Sequence, residues 1–359
     1  MKTLILANYD VGLYQFRYEL IEELLKDGEV YISLPYGELI EPFEELGCVF
    51  LDTPVDRRGL NPIKDSFLFL RYLVILKRIK PDQVITYTVK PNVYGGLACR
   101  LLHTSYAVNI TGLGTAFEQG GLLKKLVTLL YKAACKKAKV VFFENSENRK
   151  LFVDEKIVKE GQTYLLAGAG VNTERYQVTE YPRGDAIKFL FVGRVMKEKG
   201  MDELFSAMKL LVADGYNCSL DVVGGYEENY GETIKKYEAE GWLKYHGYQK
   251  DVRPFYAACH CFVLPSWHEG MANTNLEAAA SGRPVITSNI HGCLEAVEEG
   301  VSGFLCERKN AEDLYQAMKR FLSLTYGQRA AMGLAGRRRM ESLFDKKTVV
   351  KQTLMRLNF

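Results

Sequence analysis

Nothing in the 359-residue chain approaches the roughly 18 uninterrupted apolar residues of a membrane-spanning helix. The N-terminus, "MKTLILANYD", meets Asn8 and Asp10 too early for a signal peptide and is expected to form a first strand. Charge of one sign is scarce: the net value of +3 gives no argument for a nucleic-acid partner, and a local basic stretch means more than the total. The eight cysteines lack the spacing of a disulfide framework and lie mostly among apolar residues, as reduced core thiols of a cytoplasmic protein would. "CHC" at Cys259–Cys261 has no second ligand pair nearby, and its run "AACHCFVLP" is expected to be a core strand, not a metal site. "GLG" at Gly112–Gly114 is too short for a dinucleotide fingerprint and fits a loop.

What is present is ordinary in bulk, with 47% hydrophobic and 25% charged residues. The length exceeds that of a usual single core, so two domains are expected. In the first half short apolar runs alternate with helical patterns. "KTLILAN", "EVYISLPYG", "QVITYTV", "SYAVNITG" and "VVFFENS" read as strands. "YQFRYELIEELLKDG", "SFLFLRYLVILKRIKPD", "YGGLACRLLH" and "LLKKLVTLLYKAACKKAK" read as helices, the second stopped by Pro81. The rhythm restarts at "AIKFLFVGRV" and continues through "CSLDVVGG", "LKYHGY", "HCFVLPS" and "RPVITSN". Between the halves, "AGAGVNTERYQVTEYPRGD" has no periodicity and reads as a linker. This pattern predicts an α/β chain of two Rossmann-like domains facing across a cleft, with ligands bound outside the carboxyl ends of the strands.

Two stretches could carry chemistry. "HEGMANTNLEAAASGRPVITS", from His268 to Ser288, holds Glu269 and Glu277 with seven residues between them. Thr274-x-x-Glu277 fits a capping box, with Gly282 placed for a left-handed C-cap and Pro284 just beyond. Glu277 is thus expected either to cap a helix or to act on a ligand. Glu269 has no such structural role, since it follows a strand end and precedes the helix. The start of that helix offers free N–H groups and partial positive charge to an anion. In "FVGRVMKEKGMDEL", Arg194 and Lys199 follow a strand directly and could clamp phosphate oxygens. The mixed signs of Lys197, Glu198 and Lys199 also fit a solvated loop.

"FVGRVMKEKG", "VVGG", "YHGYQKDVRPFYAACHCFVLPSWHEGMANTNLEAAASGRPVITSNIHGCLEAV" and "GFL", in this order, resemble the C-terminal half of retaining glycosyltransferases of family 4, whose fold is the two-domain GT-B type. The paired glutamates are that family's signature. "DVGLYQFRYELIEELL", "TYTVKPNVYGGLACR" and "NITGLGTAF" are similar to a narrower group of bacterial enzymes. These assemble capsule, exopolysaccharide or other glycans on undecaprenyl diphosphate, and include N-acetylgalactosaminyltransferases. The resemblance implies an acceptor-binding domain at 1–172, a nucleotide-sugar-binding domain at 173–340, and a C-terminal helix at 341–359 packing back on the first.

It further implies that Arg194 and Lys199 hold the departing diphosphate and that Glu269 contacts the donor sugar near the reacting carbon. Glu277 would bind the ribose, the N–H groups of Met271, Ala272 and Asn273 would meet sugar and phosphate, and the Gly247–Tyr248 turn would border the base. Gly12 would let the backbone approach the phosphates. Cations and a helix N-terminus bind the charge that builds on a leaving diphosphate more tightly in the transition state than before it. The chain contains no Asp-x-Asp pair, so a metal-bound diphosphate is not suggested and no cofactor is expected beyond the nucleotide-sugar donor.

Many relatives place a histidine near the reacting carbon, where "NITGLG" offers Asn109 and Thr111. These two, with Arg57 and Arg58 of "DRRG", are acceptor-side candidates. The leaving phosphate oxygen is a plausible base. In the helix over 122–139, Leu122, Leu126, Leu129, Leu130 and Ala133 are expected to face the sheet, leaving a lysine-rich face for an anionic membrane surface. The expected protein is a cytoplasmic, peripheral, retaining and metal-independent glycosyltransferase. It would move a hexose or N-acetylhexosamine from a UDP-sugar to a lipid-linked saccharide. A nucleotide-sugar epimerase of the same shape and a non-catalytic sugar-nucleotide-binding subunit are the alternatives.

Overall fold

The computed structural model describes residues 1–56, 59, 61–113 and 121–357, with the backbone alone at 122. They form two compact units: Met1–Ala169 together with the C-terminal stretch from Lys347, and Gly170–Lys346.

In the first unit the strands are β1 (Lys2–Leu6), β2 (Glu29–Leu34), β3 (Val49–Asp52), β4 (Gln83–Tyr87), β5 (Ser105–Ile110), β6 (Val140–Phe143) and β7 (Thr163–Leu165). Among the described residues they pair in parallel in the order β3-β2-β1-β4-β5-β6-β7. The helices are α1 (Asp10–Lys26), α2 (Glu41–Glu45), α3 (Pro62–Ile79), α4 (Gly96–Leu102), α5 (Gly121–Cys135) and α6 (Ser146–Asp154). Alternation along β1 defines two packed layers. Leu4 and Leu6 join a core with α3, α4 and α5, whereas Ile5 and Ala7 join a core with α1.

Several helices differ from the sequence expectation: α1 begins at Asp10, four residues before "YQFRYELIEELLKDG", and α2 and α6 lie outside the expected helices. α3 begins four residues earlier than "SFLFL" suggests. The Asn61 side chain accepts from the N–H groups of Ile63 and Lys64 at 3.0 and 3.3 Å, and Pro62 follows at the first helical position. In α5 the expected inner face is wrong. Val127, Tyr131, Ala134 and Cys135 are buried, while Leu126 and Leu129 are exposed. Burying Tyr131, whose ring meets Phe152 edge-on at 5.2 Å, turns those leucines outward.

In the second unit the strands are β8 (Ile187–Val192), β9 (Cys218–Val223), β10 (Leu243–Tyr245), β11 (Cys261–Leu264), β12 (Val285–Ser288) and β13 (Gly303–Cys306). Among the described residues they run parallel in the order β10-β9-β8-β11-β12-β13. The order reverses at β8, a topological switch point of the kind at which such sheets bind ligands. The helices are α7 (Met201–Ala213), α8 (Gly231–Ala239), α9 (Arg253–Ala258), α10 (Asn273–Ala280), α11 (Ala311–Leu322) and α12 (Tyr326–Leu343). A last helix, α13 (Lys346–Leu357), places Val349, Val350 and Leu357 in the α1 core of the first unit. No helix among the described residues is long and apolar enough to cross a membrane.

Candidate active site

β8 and β11 are neighbours, with Phe189 opposite Cys261 and Leu190 opposite Phe262. The loops that follow them therefore leave the sheet side by side. The first carries Lys199 and the second Glu269, and the Lys199 ammonium donates to Glu269 Oε1. Ser266 Oγ donates to the same oxygen at 2.7 Å. The paired side chains are largely shielded, with 18% and 13% of their surface exposed. Two glycines set this distance. Gly200 has φ 74°, and a Cβ there would lie 2.1 Å from the Pro265 carbonyl oxygen. Gly292 has φ 94°, and a Cβ there would lie 2.6 Å from the Glu269 carbonyl oxygen. Only glycine lets the three backbone segments come this close.

The start of α10 follows Glu269 by four residues. The expected capping box is absent. The N-cap is Ala272 with no side-chain bond, which puts Thr274 two positions too far into the helix. Ala272 N–H is held by the Gly292 carbonyl at 2.7 Å, and this bond fixes where the helix begins. Ala272 N–H is thus occupied, whereas the N–H groups of Asn273 and Thr274 open the helix with no carbonyl a turn earlier to meet them. Asn273 Oδ1 is buried and without a partner among the described residues. Met271 is buried beside it. Gly282 closes the helix end with φ 74°, as expected.

Glu277 points to tyrosines instead of the helix start. Tyr256 Oη donates to its Oε2 at 2.9 Å, and the Tyr176 hydroxyl also faces it. Burial raises the Glu277 pKa, and the two tyrosine bonds partly offset this. Arg194 is not drawn into the Lys199–Glu269 pair. It is 53% exposed and faces Glu227 at 3.6 Å. Gly247 takes φ 64°, and its carbonyl accepts from Gly224 N–H at 2.8 Å, so the turn leading to the exposed Tyr248 is tied to the end of β9.

In the first unit, Gly12 lies in the opening turn of α1. Among the described residues, a Cβ there would touch only Tyr9 Cδ1, at 3.9 Å. Asn109 is buried in β5, and its amide donates to the Thr86 carbonyl at 3.2 Å, because the register sets Asn109 opposite Tyr87. Thr111 lies just beyond the strand, half-buried. Arg57 and Arg58 lie outside the described residues. The sequence gives no sign of Thr88, which follows β4 with φ 72°. Its buried hydroxyl has no partner among the described residues. Positive φ is rare for a β-branched residue and marks local strain.

The "CHC" run is core, as expected. Cys259, His260 and Cys261 are buried, and His260 Nδ1 accepts from Lys188 N–H at 3.0 Å. Burial pushes the His260 pKa down to about 4. Among the described residues no group of three or more His, Cys, Asp or Glu is placed to hold a metal ion.

Comparison with known proteins adds to this geometry. The model of the family described as "Glycosyl transferases group 1" matches residues 173–339, and that of "Glycosyl transferase 4-like" matches residues 7–145. The N,N'-diacetylbacillosaminyl-diphospho-undecaprenol alpha-1,3-N-acetylgalactosaminyltransferase of Campylobacter jejuni is 25% identical, over 99% of this chain and 98% of its own. The UDP-Gal:alpha-D-GlcNAc-diphosphoundecaprenol alpha-1,3-galactosyltransferase of Escherichia coli is 28% identical, over 83% of this chain and 81% of its own. Among solved structures, Anabaena HepE in complex with UDP matches with a TM-score of 0.81 at 17% identity, over 99% of both chains. At that identity the likeness speaks for the fold alone.

Proposed function

The chain belongs to the group 1, family 4-type glycosyltransferases with the two-domain GT-B fold, and on that premise we propose that it is a retaining, metal-independent hexosyltransferase. In this reading a hexose or N-acetylhexosamine passes from a UDP-sugar to a saccharide carried on a polyprenyl diphosphate, in surface polysaccharide or glycan assembly. Relatives named for that acceptor class, aligned over most of the chain, support it.

The observation that carries the proposal is the pairing of Lys199 with Glu269 at the β8–β11 switch point, directly before the open start of α10. Lys199 and the exposed Arg194 hold the diphosphate as the bond to the anomeric carbon breaks, and the first N–H groups of α10 share its charge. The protein's own cations take the place of a metal. Glu269 orders the sugar hydroxyls beside the oxocarbenium-like carbon. Asn273 Oδ1, without a partner among the described residues, accepts from a donor hydroxyl. Glu277 takes the ribose, and the Gly247–Tyr248 turn borders the base. The acceptor hydroxyl attacks from the face the diphosphate leaves, and its proton passes to the departing phosphate oxygen. No side-chain base is required. Gly12, Asn109, Thr111, Arg57 and Arg58 remain the first domain's candidates toward phosphate and acceptor. The helix over 122–139 brings the enzyme to the anionic inner face of the plasma membrane.

The test is turnover by the purified chain with a panel of UDP-sugars and a short-chain prenyl-diphosphate saccharide, with and without chelator. The product is expected to keep the donor's anomeric configuration, and chelator is expected to leave the rate unchanged. An epimer formed from donor alone would overturn the transferase reading. Unchanged turnover in Glu269→Ala and Arg194→Ala would overturn the site.

A further inference from the structure

The helices on one face of the first unit's sheet present an outer surface that is both apolar and basic. α3, α4 and α5 bury their inner sides in one core, through Leu68, Tyr72 and Leu76, through Cys99, and through Val127 and Tyr131. Their outer sides therefore lie on the same side of the sheet. On α3, Ile63, Phe67, Leu70 and Val74 recur at helical spacing and stand exposed, Phe67 at 68%. Leu126 and Leu129 of α5 are exposed as well, Leu129 at 63%. Single exposed leucines are common on soluble proteins, but a four-residue ridge along one helix is not.

The charge on these three helices has one sign, while α6, which joins the same core through Phe152, carries the exposed acids Glu147 and Asp154. The three helices contain a single acid, Asp65, which is buried and paired with Lys90 at 2.6 Å. Lys64, Arg71, Lys77 and Arg78 on α3 and Lys125 on α5 are exposed. Two acids outside the helices, Asp56 and Glu155, are met by Lys64 and Lys124, each at 3.5 Å. On the opposite face of the sheet α1 carries Glu19, Glu22 and Glu23.

We propose that this face is a membrane-docking surface in which the α3 ridge enters the acyl boundary of a bilayer and the surrounding lysines and arginines bind anionic headgroups. The proposal rests on the reading of a lipid-linked acceptor and adds the element that inserts. Protein interfaces are depleted of lysine at their centres, whereas lysines flanking an apolar ridge can lay their stems along it and reach headgroups. That difference favours lipid over a second protein.

Because all eight native cysteines are buried, a Phe67→Cys variant of the full chain can be labelled selectively with an environment-sensitive dye. Lys26→Cys, on α1, serves as the control for the opposite face. Each is mixed with phosphatidylcholine vesicles bearing brominated acyl chains, with and without phosphatidylglycerol. The dye at 67 is expected to shift to the blue and be quenched when phosphatidylglycerol is present, and to recover at high salt. The dye at 26 is expected to do neither. Unlabelled Phe67→Gln/Leu70→Gln should bind these vesicles about tenfold more weakly and keep wild-type turnover on a water-soluble acceptor. Equal dye responses at both positions, or no binding by the wild type, would overturn the surface. Self-association of the wild type that the double variant abolishes would assign the ridge to a second copy instead. A wild type that binds vesicles through position 67 but transfers no sugar would overturn the catalytic reading and leave this one standing.

Discussion

Lys199 and Glu269 meet through one oxygen. The ammonium and the Ser266 hydroxyl both donate to Glu269 Oε1. In the absence of substrate the pair neutralises itself. A diphosphate arriving beside Lys199 would compete with Glu269 for the ammonium and free the carboxylate for sugar hydroxyls. Donor binding and the orientation of Glu269 would then be one event.

Lys199→Ala and Glu269→Ala are each expected to lower kcat by about 10²–10³, the usual loss when a preorganised partner of the transition state is removed. The double variant should lose much less than the product of the two, because each single change also strands a shielded charge. Steady-state kinetics on all four proteins measures this. Additive losses would mean the two residues act independently.

Ser266 is fully buried, and its hydroxyl donates to Glu269 at 2.7 Å. Ser266→Ala removes one hydrogen bond to a charged group at almost no change in volume. It is expected to cost about tenfold in kcat, with UDP affinity little changed. Kinetics paired with UDP calorimetry would show this. A change in UDP affinity with kcat intact would remove Ser266 from the sugar side.

Much of this was legible in residue types and little in residue pairs. Both sheets follow from their strands, which are buried on both faces and read as unbroken apolar runs. β3 and β7 are short edge strands with partly exposed residues, so they carry no such signal. The leucine count in α5 points to the wrong face, because apolar residues ring that helix and only the position of Tyr131 decides its rotation. Asn109 sits at a strand end like a site residue, yet the register turns its amide onto Thr86. Lys199 and Glu269 are 70 residues apart, and their contact depends on β8 pairing with β11 past two intervening strands.

Glu277→Gln separates stability from binding. Burial raises the carboxyl's pKa in the folded chain, so the folded state binds a proton more readily than the unfolded one. Its ionised form is therefore a cost to stability at neutral and alkaline pH, and the cost disappears as pH falls through the carboxyl's folded pKa. The glutamine variant should have a higher Tm than wild type at pH 8, with the advantage vanishing on acidification, and UDP affinity about tenfold lower. Thermal scans across pH and UDP calorimetry check both halves.

His260 acts in the opposite direction. Its folded pKa is pushed down to about 4 by burial, well below the ordinary histidine value. Between roughly pH 6.5 and 4 the unfolded chain holds a proton that the folded one refuses. Stability should fall through that window by on the order of 3 kcal/mol from this group. His260→Asn keeps an acceptor for the Lys188 N–H and should flatten the acid limb, as denaturant midpoints at stepped pH would show.

The course of α13 has a consequence for how the protein is made. Its residues Val349, Val350 and Leu357 complete a core whose other walls are built from α1 and the first strands. The first unit is thus finished only after the second, since its closing helix follows the whole of Gly170–Lys346 along the chain. Gly170–Lys346, by contrast, is one uninterrupted stretch and has all its parts before α13 is added. A chain that stops just before α13 would carry a complete second unit and an unsealed first one. Exposed apolar surface on the first domain would mark such products for aggregation or removal.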